Sequence, residues 1–136
     1  NNCNYNNKQL DKLFRRIYQH YGQIDAYELY PDAISLLKYL KANNVLCGVT
    51  SNSPHRTIEC VLPMLGIDSY FSFFTSCQDS KYEKPSKEIF MYTLEEVKSI
   101  ILDIEPNNIL HIGDEIIADY LGAKSAEFQS IFIDRN

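Results

Sequence analysis

The stretch VLCGVTSNSP, residues 45–54, decides the fold more than any other part of the sequence. Its first part, residues 45–50, is an apolar run that is too short for a helix and is typical of a strand covered on both faces. Ser51 and Asn52 follow directly, and Ser53 with Pro54 brings the residue types that begin a helix. A buried strand that passes at once into a helix is the repeating unit of a parallel α/β sheet.

The same alternation continues on both sides of this stretch. Helical spacing of apolar residues predicts helices at residues 8–21, 31–42, 54–65, 86–101 and 115–126. Apolar runs of strand length predict strands at residues 45–50, 71–75, 109–112 and 130–134. The order α-α-β-α-β-α-β-α-β predicts a parallel, Rossmann-like three-layer α/β sandwich, with right-handed crossovers and helices on both faces.

Length and composition describe one ordinary globular domain. The chain has 136 residues, of which 45% are hydrophobic and 23% charged, and a net charge of -5. The acidic balance argues against a general binder of nucleic acid or anionic membranes. The sequence has no apolar run long enough to span a membrane, and its first residues do not resemble a signal peptide. The four cysteines show no C-x-x-C spacing, so we expect ordinary thiols in a reducing compartment.

Polar residues follow the predicted strands at the edge where parallel sheets bind their ligands. Ser51 and Asn52 come directly after the first strand, and Asp114 comes just after the third. Lys84 lies in the connection that follows the second strand, and Asp119 lies five residues beyond Asp114. Ligands of such sheets bind beyond the carboxyl ends of the strands, so we expect these side chains to share one site.

The residue types at this edge suit a phosphate and a hard cation. Asp114 and Asp119 offer the carboxylate oxygens that Mg²⁺ prefers, and Ser51 with Asn52 offers donors at a helix start. Lys84 supplies a positive charge that can pair with both. Each feature alone also has a simpler interpretation: a helix cap with a solvated helix residue, a capping turn, and a surface lysine. Their common position at one edge favours the functional interpretation.

The ordered set resembles the motifs of the haloacid dehalogenase-like hydrolases, most of which are phosphatases. It is especially similar to the cytosolic subgroup that carries a small helical cap. The resemblance implies a core at residues 30–136, preceded at residues 1–29 by the C-terminal end of the cap and a linker. The matching segments are LYPDA at 29–33, GVTSNS at 48–53, EKPS at 83–86 with the following Ile89 and Phe90, HIGD at 111–114 and DYLGA at 119–123.

The resemblance also implies a role for each site residue. Ser51, Lys84 and Asp114 would form the catalytic set, and Ser51, Asn52 and Lys84 would contact the substrate. Asp114 and Asp119 would hold Mg²⁺. The implied substrate is a small phosphorylated molecule, and the implied location is the cytoplasm, with the nucleus left open.

One motif of the family is missing from the sequence. The family attacks phosphorus with the first Asp of a D-x-D motif and uses the second as acid and then base. We expect this motif, and the central strand that carries it, upstream of residue 1. Asp103 and Asp134 also follow apolar runs, but Asp103 ends a helical stripe just before Pro106, and Asp134 ends the last strand. Neither is a credible replacement.

The missing strand would leave the strands at residues 45–50 and 109–112 with unpaired edges. Either the sheet closes differently, or a second chain lends a strand, or these residues belong to a longer protein. We favour the last. Glu127 stands where the family usually has glycine, which affects only a helix C-cap.

Two hypotheses follow for the function. The first is the C-terminal part of a Mg²⁺-dependent phosphatase, working through an aspartyl-phosphate whose Asp lies outside this chain, so that the chain alone is inactive. The second is a non-catalytic member that retains phosphate or metal binding, or acts as an interaction module. A dinucleotide-binding function is excluded because no G-x-G-x-x-G follows any strand.

Overall fold

The computed structural model describes residues 5–135. Residues 1–4 of the predicted cap segment, which include Cys3, and the final residue, Asn136, lie outside this range. The division of the chain at residues 29 and 30 stays a prediction. The helices are α1 (Asn7–His20), α2 (Ala33–Ala42), α3 (His55–Met64), α4 (Cys77–Ser80), α5 (Lys87–Lys98) and α6 (Gly122–Ser125).

Four short strands alternate with these helices in the described range. They are β1 (Gly48–Ser51), β2 (Phe73–Ser76), β3 (Leu110–Gly113) and β4 (Gln129–Phe132). The predicted parallel α/β order is confirmed, with the short α4 as an addition that no periodicity indicated. Single 3₁₀ turns lie at Ile24–Ala26, Asp68–Tyr70 and Pro106–Asn108.

The strands pair in parallel, but as two separate pairs. In the first pair, β1 runs beside β2 with Gly48 opposite Phe73. In the second, β3 runs beside β4 with Leu110 opposite Gln129. Across residues 5–135 these are two two-stranded sheets, whereas the alternation alone predicts one sheet. Strands β1 and β3 therefore each present one edge whose backbone groups have no strand partner in this range.

The best-buried core lies between α5, α6 and the start of β4. Ile89 and Phe90 of α5 are 0% exposed, and Leu94 is 1% exposed. They pack with Ala123 and with Phe128, which meets the Phe90 ring edge-on at 5.9 Å between centroids. Each large side chain buried in this way contributes about 1.5–3 kcal/mol. This core fixes the segments that lead into and out of β3.

Two predicted helices differ from the observed ones. The helix α5 ends at Lys98, and Ile101, the last residue of the predicted helix, is exposed beyond it. The Ser99 hydroxyl donates to the Glu96 carbonyl at 2.6 Å, a local bond that competes with further helix. The second predicted helix, at residues 115–126, is a π-helical turn at Ile116–Leu121 that leads into α6.

The N-terminal helices lie outside this core. Helix α1 has no buried residue, and Leu36 of α2 is 43% exposed. Leu37 and Leu40 of α2 are half-buried, so the apolar face of this helix is covered only in part within the described residues. None of the helices at residues 5–135 combines the length and the apolar character that crossing a bilayer requires.

Candidate active site at the strand ends

The loop after β1 presents the first polar groups of the site. Ser51 ends the strand, and its Oγ accepts a hydrogen bond from the backbone N–H of Ser53 at 3.0 Å. This bond orients the hydroxyl while its own O–H stays available as a donor. The local turn therefore orients the Ser51 hydroxyl at the end of the strand, and its contact with a phosphate stays a prediction.

Asn52 connects this loop to the predicted lysine. Its Oδ1 accepts from the backbone N–H of Lys84 at 2.6 Å, and its Nδ2 donates to the Lys84 carbonyl at 3.0 Å. The two bonds fix the backbone of Lys84, which is joined to Pro85 by a cis peptide bond. In the structure, the Asn52 amide is bonded to the Lys84 backbone. Direct contact of Asn52 with a substrate stays a prediction.

Asp119 is the centre of the site. Its Oδ1 accepts from Lys84 Nζ at 2.6 Å and from His111 Nε2 at 2.9 Å. Its Oδ2 accepts from the backbone N–H of Glu115 at 3.1 Å. The side chains of Lys84 and Asp119 are only 14% and 6% exposed, so this ion pair is largely shielded from water. The structure thus brings the segments EKPS at 83–86, HIGD at 111–114 and DYLGA at 119–123 into direct contact.

The π-helical turn and one glycine bring Asp119 to this position. Tyr120 N–H bonds to the carbonyl of Glu115 at 3.2 Å, a five-residue step that widens the turn. A Cβ on Gly113 would lie 2.2 Å from Cγ of Asp119. Glycine is therefore required at Gly113 because Asp119 approaches the backbone there more closely than any side chain permits.

Charge and burial set the ionisation of Asp119 and His111. Burial acts to raise the pKa of Asp119, but hydrogen bonds from His111 and Lys84, with the Lys84 charge, outweigh it, and the pKa is lowered. Burial lowers the pKa of His111, and the Lys84 charge adds to this against the opposing effect of Asp119. At neutral pH, Asp119 is an anion and His111 is neutral, so Nε2 of His111 carries the proton that it donates.

Asp114 lies in a different environment from Asp119. It is exposed at the end of β3, whereas Asp119 is 4% exposed. Its charge adds weakly to a raised pKa of Arg135, which is caused mainly by the hydrogen bonds of Arg135 to Asp32. Within the described range, no group of three or more His, Cys, Asp and Glu residues is placed to hold a metal.

The donor chemistry at this position still fits Mg²⁺. Both predicted ligands are carboxylates, and Mg²⁺ is usually bound by one or two carboxylates and keeps several waters. Asp114 is open to solvent, while Asp119 already accepts hydrogen bonds from Lys84, His111 and Glu115. Asp114 is therefore the more accessible ligand of the two.

His111 is a member of the site that the sequence did not predict. The sequence predicts His111 only as a residue of the strand at 109–112, between apolar neighbours. The signal was present, because His111 and Gly113 lie two apart in β3 and so face the same side of the sheet. The Phe90 ring meets the His111 ring edge-on at 5.2 Å, which fixes the imidazole against the core.

Comparison with known proteins identifies the family of the chain. The model of a family described as haloacid dehalogenase-like hydrolase matches residues 1–127. A putative uncharacterized hydrolase of Schizosaccharomyces pombe is 30% identical over 125 residues, covering 90% of this chain and 54% of the relative.

Two solved structures share the fold. The HAD phosphatase from Thermococcus onnurineus superimposes with a TM-score of 0.76 at 28% identity, covering 90% of this chain and 54% of that one. A predicted phosphoglycolate phosphatase from Haemophilus somnus 129pt gives a TM-score of 0.77 at 25% identity, covering 94% and 55% of the two chains. The chain spans about half the length of the curated relatives it matches.

Proposed function

The chain belongs to the haloacid dehalogenase-like hydrolases, and we propose that it supplies the phosphate-binding and magnesium-binding part of a phosphatase acting on small phosphorylated metabolites. The observation that carries this proposal is the contact of 2.6 Å between Lys84 and Asp119 at the strand ends. This contact holds the Lys84 cation at the strand ends, and positive charge beside the phosphoryl oxygens is what phosphoryl transfer requires.

The two residues proposed to hold the phosphoryl group act by different means. The Ser51 hydroxyl donates its proton to a phosphoryl oxygen. The backbone N–H of Ser53 donates to Ser51 Oγ and so keeps the hydroxyl in this orientation. Lys84 keeps one N–H on Asp119 and directs its remaining donors to the phosphoryl oxygens. Asn52 and Asp119 act through Lys84, the first on its backbone and the second on its ammonium group.

Asp114 and Asp119 are the residues proposed to hold Mg²⁺. When bound, this ion neutralises charge on the phosphoryl group and orients it. The exposed carboxylate of Asp114 is the more accessible of the two proposed ligands. Asp119 remains the anion that keeps Lys84 and His111 in place.

The attacking Asp is proposed to lie outside residues 1–136, on a strand that pairs with β1 and β3. Support comes from the edges of these two strands, which have no strand partner in the described range. Further support comes from the coverage of about half of each relative. A strand in that place would end beside Ser51 and Asp114, where an aspartyl-phosphate could form. A second chain is the other source of such a strand. A cytoplasmic location belongs to the same proposal and rests on the resemblance.

The test compares the 136-residue chain with the product of the coding region extended upstream. We expect no Mg²⁺-dependent hydrolysis of p-nitrophenyl phosphate by the short chain, and turnover by the extended one if a strand ending in D-x-D precedes residue 1. In the extended protein, Lys84→Ala should lower kcat by about 10²–10³. Lys98→Ala, which removes an exposed lysine paired with Glu95, is the matched control. Turnover by the short chain that Asp114→Ala abolishes would contradict the proposal.

A non-catalytic binding module is the second candidate. It is favoured by one observation: the supporting residues form an ordered site, while residues 1–136 contain no credible D-x-D motif. An upstream region without that motif, together with measurable binding of inorganic phosphate that Lys84→Ala removes, would select this candidate over the enzyme.

A further inference from the structure

An arginine beyond the end of β4 is bonded to an aspartate that precedes α2. Arg135 Nη1 donates to Asp32 Oδ1 at 3.0 Å, and Arg135 Nη2 donates to Asp32 Oδ2 at 3.1 Å. The two residues are 103 positions apart in the chain, and the guanidinium also stacks over the Tyr30 ring at 4.2 Å. Two parallel hydrogen bonds and one ring contact therefore fix the direction of this guanidinium.

Asp32 occupies a position at which aspartate usually has another role. It is the N-cap residue of α2, where an aspartate carboxylate normally accepts hydrogen bonds from the first N–H groups of the helix. In the described part of the chain the Asp32 side chain makes no such capping bond, and both of its oxygens accept from Arg135. Helix capping therefore does not account for this carboxylate.

Arg135 also lies near Asp114. Strands β3 and β4 run in parallel, and where they end the Ile133 N–H donates to the Gly113 carbonyl at 2.9 Å. Asp114 directly follows Gly113, and the Cα atom of Arg135 lies at most about 7 Å from that of Ile133. The hydrogen bonds to Asp32 are the main cause of a raised pKa of Arg135, and the charge of Asp114 adds to it. Two carboxylates thus attract Arg135, and Asp32 is the one that binds it.

The choice between these two carboxylates matters for the cation site. Asp114 is exposed and is the more accessible of the two proposed Mg²⁺ ligands. A carboxylate that accepts hydrogen bonds from a guanidinium has fewer lone pairs left for a cation, and the positive charge beside it opposes cation binding. The bonds to Asp32 direct the N–H donors of Arg135 away from Asp114.

We propose that Asp32 is a positioning residue of the cation site, which holds Arg135 and so leaves the carboxylate of Asp114 free for Mg²⁺. Tyr30 supports this role by stacking on the guanidinium. When Asp32 is removed, Arg135 pairs with Asp114 and competes with the cation. The assignment rests on the proposed function and deepens it, because it gives the site a third carboxylate that acts through Arg135.

The test measures the Mg²⁺ affinity of the 136-residue chain by NMR titration, with the backbone N–H of Glu115, next to Asp114, as the reporter. Asp32→Asn should weaken binding about fivefold. Arg135→Gln should bind Mg²⁺ at least as tightly as the natural chain, and adding Asp32→Asn to it should cause no loss. The matched control is Asp11→Asn, which also removes one carboxylate charge from an arginine pair and should leave the affinity unchanged.

Two results of this titration would overturn the assignment. An unchanged affinity in Asp32→Asn would mean that the pair with Arg135 only joins α2 to the end of β4. A loss that persists when Arg135→Gln is also present would mean that Asp32 acts on the cation without Arg135.

A measurement without any cation separates this assignment from the proposed function. The Arg135 Nε–H resonance is compared with and without Asp114→Asn, first in the natural chain and then in the Asp32→Asn chain. We expect a small shift in the first case and a clearly larger one in the second, where Asp114 is the partner. If this holds but the natural chain binds no Mg²⁺, the magnesium proposal fails and the hold of Asp32 on Arg135 stands. If Mg²⁺ binds and the two shifts are equal, the positioning role is refuted.

Discussion

Helices α1 and α5 carry the same kind of apolar stripe, but the stripe of α5 is buried and the stripe of α1 is exposed. In α5, Ile89 and Phe90 are 0% exposed. In α1, Phe14 is 66% exposed and Ile17 is 49% exposed. The α5 stripe meets α6 and Phe128, whereas α1 has no buried residue. Periodicity therefore identifies the apolar face of a helix, but the presence of a second apolar surface decides whether that face is buried.

The same contrast separates the candidate site from helix α1. The ion pair of Lys84 and Asp119 lies beside the core that α5 forms with α6 and Phe128, and it is shielded from water. The pair of Asp11 and Arg15 on α1 is 61% and 74% exposed. An exposed ion pair contributes little to the free energy of unfolding, whereas breaking a shielded ion pair lowers it strongly. Mutations placed in matched pairs across the two regions test this difference.

The largest difference is expected between Phe90→Ala and Phe14→Ala. Removing the buried Phe90 ring leaves a cavity in the core and should lower the free energy of unfolding by about 3–5 kcal/mol. Removing the exposed Phe14 ring should change it by about 0.5 kcal/mol or less. Urea unfolding of the 136-residue chain measures both. Equal losses would mean that the α1 stripe is covered in solution and that the contrast does not hold.

Asp119→Asn is expected to have the next largest effect. It removes the anion beside Lys84, whose charge then remains in a shielded position, and should lower the free energy of unfolding by about 3 kcal/mol. The control is Asp11→Asn, which breaks the exposed pair with Arg15 and should change stability by under about 1 kcal/mol. Chemical denaturation at pH 7 compares them. A loss below about 1 kcal/mol for Asp119→Asn would count against a tightly coupled site.

Asn52→Ala tests the link between the loop after β1 and Lys84. It removes two hydrogen bonds to the Lys84 backbone and should lower the free energy of unfolding by about 1–2 kcal/mol. It should also weaken the binding of inorganic phosphate, because the backbone that carries the Lys84 side chain is no longer fixed. Asn43→Ala, which removes one bond to the Tyr39 carbonyl at the end of α2, is the control and should leave phosphate binding unchanged. Calorimetric titration with phosphate reads out the difference, and equal affinities would show that Asn52 has no positioning role.

The smallest effect is a pH dependence that comes from His111. Its pKa lies below the ordinary value of 6.5, mainly because of burial, so the unfolded chain takes up this proton first as the pH falls. The stability due to neutral His111 is therefore complete above about pH 6.5 and is lost as the pH falls from 6.5 toward the folded pKa, at no more than about 1.4 kcal/mol per pH unit.

His111→Gln should flatten the dependence of the unfolding free energy on pH between about 6.5 and 5, since glutamine keeps a donor and does not titrate. His20→Gln, at an exposed position of α1, should retain the slope of the natural chain. Urea unfolding at several pH values compares the three proteins. An unchanged slope in His111→Gln would place the titrating group elsewhere.

Several parts of this molecule were predictable because they depend on local sequence. Strand β1 follows from an apolar run, and helix α5 from residues at helical spacing, with Phe90 and Leu94 on its buried stripe. The position of Lys84 near Asp119 was expected from the rule that ligands bind at strand ends. These predictions succeed because strand and helix periodicities act over a few residues.

Other parts were not predictable, because they depend on contacts between distant segments. The Asn52 amide bonds to the backbone of Lys84, 32 residues away. The π-helical turn replaces a regular helix where Asp119 reaches back to the N–H of Glu115. No propensity or spacing within either segment encodes these bonds, since each is favourable only when both segments are already in place.

By itself, the sequence determined the order of helices and strands, the apolar face of each helix and the side chains that follow each strand. The tertiary structure decided which apolar faces are buried, so that α5 forms the core and α1 does not. It also decided that Asp119, and not Asp114, receives Lys84 and His111. The physical reason is that periodicity and strand-end position are properties of neighbouring residues, whereas burial and ion pairing depend on which distant surface arrives to exclude water.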